Sequence, residues 1–335
     1  MSHNYKTHIG RMVSTLSALA ASLVMSATLT GAAQGQDQAL VDAAQGEGKL
    51  SIYANIDPGI LQGLADAFQE KYNITVDVQR QSSSALAQRF MAERESSINI
   101  ADIYYSTDQA FHVDGVKAGI FAALDDVPGI STWPAEAVFD GYVILGYNPY
   151  SLVWNTDLVA EGLDSWEDLA DPQWAGQVML TDPRSGVTSN QFYKMLRDAY
   201  GDDFLRRLGK NATYSKSAVP GMQQVAAGAQ AMYAPGIHQV AVGLIAKGAP
   251  LQEAFPEPTI SSNNLMSLVA DAPNPNAAKL FMSFLTTVEG QQLNNPDGFP
   301  PIEGVPGARN MPKVVVIDPA IAQAESDEMA KLMGL

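Results

Sequence analysis

The sequence predicts an α/β protein of two doubly wound lobes joined by a two-strand hinge. Three observations predict it. From Leu50 onward, short β-branched runs alternate with helical patterns, the mark of a mostly parallel sheet covered by helices. Without its first 36 residues, read below as a leader, the 335-residue chain is about 300 residues long, enough for two lobes, since one core usually stops growing at about 250 to 300 residues. The alternation is also interrupted twice by extended segments, at Tyr142 to Asn155 and at Asn264 to Val269, as a crossing into a second lobe and a return would do.

Leu50 to Tyr53 reads as the first strand. Asp57-Pro58 then supplies an N-cap and a first-turn proline, and Leu61, Leu64, Ala65 and Phe68 follow at helical spacing. Ile74, Val76 and Val78 alternate as a second strand. Ser82-Ser83-Ser84 opens a helix carrying Leu86, Phe90 and Met91, and Ile100 to Tyr105 makes a third strand. Tyr142 to Leu145 and Ser151 to Trp154 are two strand-like runs separated by Gly146-Tyr147-Asn148-Pro149. In the second lobe, Ser165 to Asp168 has the form of a capping box. A strand at Gln177 to Leu180 leads through Asp182-Pro183-Arg184-Ser185-Gly186 into a helix with Phe192, Met195, Leu196 and Ala199 on one face. Further strand-like units fall at Ala212 to Ser215, Ala229 to Tyr233 and Leu251 to Phe255. After the return, an amphipathic helix buries Ala277, Leu280, Phe281, Phe284 and Leu285, and Pro319 to Leu332 reads as one terminal helix. The expected boundaries are therefore 37–145 and 264–290 for the first lobe, and 146–263 and 291–335 for the second. No internal repeat is visible.

Residues 1–36 contain no acid, place Lys6 and Arg11 before the apolar run Met12 to Leu29, and end in Gly31-Ala32-Ala33. That is the layout of a secretory signal peptide, so a periplasmic protein is expected. Removing it leaves 18 basic and 36 acidic residues, a balance that excludes nucleic acid and anionic membrane surfaces as partners. With no cysteine, the chain has no disulfide, thiolate metal site or cysteine nucleophile. His3 and His8 leave with the leader, so only His112 and His238 remain for a metal.

Ligands in open parallel sheets bind beyond the carboxyl ends of strands. The candidate binding residues are accordingly Tyr53, Asn55 and Asp57 after the first strand, Ser82, Ser83 and Ser84 after the second, and Ser106 and Thr107 after the third. In the second lobe they are Arg184, Ser185, Gly186 and Thr188, together with Tyr233 and His238. Hydroxyls and free N–H groups at a helix start suit an oxyanion, and Arg184 would add a bidentate clamp. The same serines and threonines equally fit simple N-capping. Tyr233 is expected at the cleft because Pro235-Gly236 should break its strand. No HExxH, GxSxG, P-loop or GxGxxG motif occurs, so no catalytic residue, metal or cofactor is expected.

The leader, Leu50 to Asn55, Ala101 to Ser106, Tyr150 to Asn155 and Asp182 to Gly186 together resemble the extracellular solute-binding proteins of ABC importers, over about Leu50 to Val305. The branch they resemble binds ferric ion, phosphonates or sugar phosphates. The resemblance implies a type 2 periplasmic binding fold, a ligand held between two closing lobes, and delivery to a membrane permease by a monomer. It places Asp57 where iron-binding members can carry a histidine, Thr107 where they can carry a glutamate, and Gly236 and Ile237 where they carry adjacent tyrosines. Ferric ion demands hard anionic donors, which glycine and isoleucine do not provide. The expected solute is therefore a small organic anion: a phosphonate, phosphate ester or carboxylate. Ferric binding with a synergistic anion, using Tyr53 and Tyr233, is the alternative. An exported hydrolase using Asp57, Asp108 or His238 is a third.

Overall fold

The computed structural model describes residues 38–335 together with Met1, so the expected leader falls outside the described residues. Ten strands are present among them: β1 (Lys49–Ala54), β2 (Thr75–Arg80), β3 (Ile103–Ser106), β4 (Val138–Phe139), β5 (Tyr142–Asn155), β6 (Val178–Thr181), β7 (Ala212–Ser215), β8 (Met232–Ile237), β9 (Leu251–Ala254) and β10 (Ser261–Leu268). They join in the order β2-β1-β3-β10-β5-β8-β6-β7, with β4 and β9 also paired to β5.

The long strand β5 belongs to two half-sheets. Its residues Val143 to Pro149 pair antiparallel with β10, whereas Tyr150 to Asn155 pair antiparallel with β8 and β9. One half-sheet therefore runs β2-β1-β3-β10-β5 and the other β7-β6-β8-β5-β9. Each consists of three parallel strands, then an antiparallel strand that arrives along the chain from the other lobe (β10 in the first, β5 in the second), then one more. The two lobes thus repeat one topology that the sequence does not display as a repeat.

Each half-sheet has its own core. Around the first, Leu50, Ile52, Leu64, Phe68, Val143, Leu145, Met266 and Phe281 are fully buried. Around the second, Leu152, Trp166, Leu180, Phe192, Leu196, Phe204, Leu208 and Met232 are fully buried. The helix expected from Asp57-Pro58 spans Pro58–Tyr72 with Asp57 as its N-cap. Ser165 and Asp168 form the expected capping box, here opening a 3-10 turn.

Four expectations need correction. The first hinge segment is one continuous strand, Tyr142–Asn155, instead of two runs. Pro149, which has no N–H to donate, sits where β5 passes from β10 to β8, at the end of one ladder. Strand β8 also continues through Ala234-Pro235-Gly236, because a register shift between Ser151 and Val153 absorbs the proline. The tail forms two helices, Pro319–Ala324 and Ser326–Leu332. Finally, the chain stays with the first lobe beyond residue 290: Asn294 and Asn295 both donate to the Leu145 carbonyl, at 2.9 and 2.8 Å, and Tyr105 donates to Asn294 at 2.6 Å.

His112 lies on the helix Gln109–Lys117 and ties two strands together. Its Nε2 meets Ser106 Oγ at 3.0 Å, and its Nδ1 meets Ser267 Oγ on β10 at 2.7 Å. Burial disfavours the imidazolium and lowers the pKa from 6.5 to about 3. The unfolded chain takes up this proton first, so the stabilising contribution is complete above pH 6.5 and is lost as pH falls toward about 3.

Two predictions follow from these contacts. Stability should fall by about 1.4 kcal/mol per pH unit below the ordinary histidine range on account of His112. Urea denaturation of the wild type and of His112→Gln at stepped pH should show this slope removed in the variant, and identical slopes would refute the assignment. At the hinge, a Cβ on Gly146 would lie 2.1 Å from Asn295 Oδ1. Gly146→Ala should therefore cost about 1 to 3 kcal/mol by displacing the amide that holds Leu145, measurable as a lowered urea midpoint.

Candidate functional site

A hollow of about 370 Å³ opens where the two half-sheets meet at β5 and β10, within the size range of small-molecule sites. The first lobe contributes Asn55, Ile56, Asp57 and Ile60 after β1, Arg80 at the end of β2, and Thr107 after β3. The shared strands contribute Asn148, Pro149, Tyr150, Ser262 and Asn264. The second lobe contributes Ile237, His238 and Gln239 after β8.

Asn55 organises the first-lobe wall. Its Oδ1 accepts from the Thr107 amide at 3.0 Å, and its Nδ2 donates to Thr107 Oγ1 at 3.2 Å and to Ser83 Oγ. One side chain thus fixes the loops after β1 and β3 against the start of the helix Ser83–Glu95. Ser82 occupies that helix's N-cap position with no side-chain cap bond. The first-turn N–H groups are consequently available to an anion. Asp57 is spent differently, with its Oδ1 accepting from Gly59 N at 2.7 Å and Ile60 N at 3.1 Å as a helix cap.

A row of carboxamides crosses the floor. Gln239 donates to Asn148 Oδ1, and Asn148 Nδ2 donates to Asn264 Oδ1 at 3.0 Å. The row links a second-lobe helix to both shared strands with neutral groups. His238 forms part of the wall but has no free nitrogen. Its Nε2 lies 2.9 Å from the Asp297 carbonyl and its Nδ1 2.6 Å from Glu253 Oε1. A carbonyl can only accept, so Nε2 is the donor there, and Nδ1 is taken up by the Glu253 carboxyl. Neither nitrogen is left for a ligand or a metal.

Several expected residues lie elsewhere. Tyr53 is fully buried against Phe90 and donates to Glu93 Oε2 at 2.7 Å, because β1 is covered on both faces and no orientation leaves it open. Its phenol is pushed up to about 12, first by burial and then by the Glu93 hydrogen bond. Tyr233 is fully buried and bonded to Thr181 Oγ1, and burial pushes its phenol up to about 12. Ser106 is fully buried on His112. Arg184 is exposed and forms a bidentate pair with Asp182, at 3.0 and 2.8 Å, which holds that carboxyl below its usual range. Its fork is thereby occupied by an internal carboxylate. Ser82, Ser84, Ser185 and Gly186 are exposed, Ser83 is half-buried, and all five lie outside the hollow's lining. Thr188 reaches its edge through a long 3.5 Å contact with Tyr150. The helix Val187–Tyr200 that carries Thr188 also begins without a side-chain cap.

Arg80, Asn148, Tyr150, Gln239, Ser262 and Asn264 line the hollow without having been expected. Arg80 obeys the same rule as the loops: it is the final residue of a parallel strand. For the others, the available signal was the polar cluster Ser261 to Asn264 and Asn148 inside segments already read as hinge strands. The hollow's lining offers ferric iron one cap-engaged carboxylate and one phenol. Among the described residues, no group of three or more His, Cys, Asp or Glu side chains is placed to hold a metal ion.

The family model for bacterial extracellular solute-binding proteins matches residues 50–300. Iron-bound HitA from Pseudomonas aeruginosa superimposes with a TM-score of 0.65 at 19% identity, covering 86% of this chain and 99% of that one. AfuA from Actinobacillus pleuropneumoniae, with fructose-6-phosphate bound, gives 0.60 at 22% identity, covering 85% and 96%. The substrate-binding protein of an ABC transporter from Agrobacterium tumefaciens gives 0.68 at 15%, covering 85% and 95%. At these identities the likeness establishes the architecture, that of a type 2 periplasmic binding protein.

The cap at Asp57 gives a test of the first-lobe wall. Asp57→Ala should cost about 1 kcal/mol, whereas Asp57→Asn, which can still accept from the same amides, should cost little. Thermal melts followed by circular dichroism would check this, and equal losses for both variants would contradict the cap.

Proposed function

Because the chain belongs to the bacterial extracellular solute-binding protein family, we propose that it captures a small organic anion in this cleft and delivers it to the permease of an ABC importer. The observation that carries the choice of anion is the composition of the cleft: a guanidinium and neutral carboxamides, with no set of anionic oxygen donors, beside a helix start that has no side-chain cap. Neutral donors stabilise an oxyanion without placing another charge in the site that must be stripped of water when it is empty. AfuA, whose known complex holds fructose-6-phosphate, is consistent with a phosphate ester of this size.

Capture proceeds by rotation of the lobes about β5 and β10. A ligand touching both walls favours the closed form by the contacts it makes only there. Export through the leader would place the mature chain in the periplasm, where such a protein meets its permease.

A thermal-shift panel of phosphonates, sugar phosphates and carboxylates tests the proposal. A member present far above its dissociation constant should raise the melting temperature by about 5 °C or more. If only ferric citrate stabilised the protein, with a visible phenolate-to-iron colour, the organic-anion reading would be wrong and the iron reading would replace it.

A further inference from the structure

Nine arginines occur in the chain, and eight lie among the described residues. Six of these, Arg89, Arg94, Arg184, Arg197, Arg206 and Arg309, have a carboxylate within 4.0 Å. Arg207 lies over the ring of Phe204 at 5.9 Å. Arg80 has neither kind of partner and lines the cleft. Its Nε donates to the Ile56 carbonyl at 2.7 Å, which holds the planar group in place while both terminal nitrogens remain unengaged.

In a chain with nearly twice as many acids as bases, an arginine left without a carboxylate is an exception. Such a charge is tolerable while the cleft is open to water. Closing the lobes over it would strip its hydration without compensation unless an anion arrived at the same time. A pre-oriented fork also suits two oxygens of one carboxylate or phosphate better than a point charge does.

We propose that Arg80 is the anchor for the ligand's oxyanion, and that its unpaired charge makes closure dependent on the anion. The inference rests on the anion reading of the cleft and deepens it. The charged end of the solute docks on the first lobe at the carboxyl end of β2, two residues before the uncapped start of the helix at Ser82 and Ser83. The neutral body faces Asn148, Gln239 and Asn264, whose carboxamides complement hydroxyl or carbonyl groups. The solute is thus an oxyanion with an uncharged polar body, held in one orientation. The second lobe contributes shape and hydrogen bonds instead of charge.

The test uses the full-length exported protein and two readouts. In the first, p-hydroxyphenylglyoxal labels arginines and peptide mass spectrometry reports each site, with inorganic phosphate as the probe. Arg80 should label faster than the ion-paired Arg184 and Arg197, and saturating phosphate should slow it about tenfold or more, as loss of a free guanidinium to a charge-assisted pair implies. Arg80 labelling that phosphate leaves unchanged would overturn the proposal. In the second, Arg80→Gln should abolish the thermal shift given by any stabilising organic anion, and Arg80→Lys should restore part of it. An undiminished shift in Arg80→Gln overturns the anchor while leaving the anion reading intact. Phosphate protection of Arg80 with no stabilising organic anion supports the anchor and removes the organic-anion reading.

Discussion

The structure depends on one strand serving two sheets. Because Tyr142–Asn155 pairs with β10 along its first half and with β8 and β9 along its second, the lobes share a backbone hydrogen-bond ladder instead of a flexible linker. The shared strand runs unbroken from one lobe into the other. It also fixes where the cleft lies, since the carboxyl ends of the parallel strands on both sides face the handover at Asn148 to Tyr150. The carboxamide row and the close packing of Gly146 on Asn295 are consequences of that junction, where side chains of both lobes meet the same backbone.

Much of the fold was legible because its signals are local. Alternating Val and Ile residues, Asp57-Pro58, Ser165 to Asp168 and the amphipathic stripe from Ala277 to Leu285 each act within a few residues, and each appears where expected. The continuity of β5 was not legible. Gly146 and Pro149 usually interrupt strands, and their tolerance here comes from partners more than 100 residues away in the chain, such as Asn264 and Asn295. The repeated topology was hidden for a similar reason: strand order is a property of pairing, and the two lobes reach it with unrelated side chains.

The lining of the candidate site was legible by loop and less so by residue. Loops after β1, β3 and β8 do form the cleft, and Asn55, Asp57, Thr107 and His238 line it. Tyr53 and Tyr233 do not, since a strand covered on both faces gives an aromatic ring no exposed side to occupy. Arg184 illustrates a different limit. Its neighbour Asp182 two residues earlier neutralises it, while Arg80, in a less suggestive context, remains unpaired. Which arginine is free depends on three-dimensional neighbours that sequence order alone does not reveal.

The shared strands also dictate an order of synthesis. Strand β10 stands between β3 and β5 in the first half-sheet, yet Ser261–Leu268 emerges from the ribosome only after nearly all of the second lobe has been made. The first lobe therefore waits with an open edge beside β3 while the second lobe assembles around the far end of β5. An unpaired strand edge during that interval invites wrong partners, and long-range closure of this kind is slow. A nascent chain with this strand order has reason to remain unfolded until it is complete.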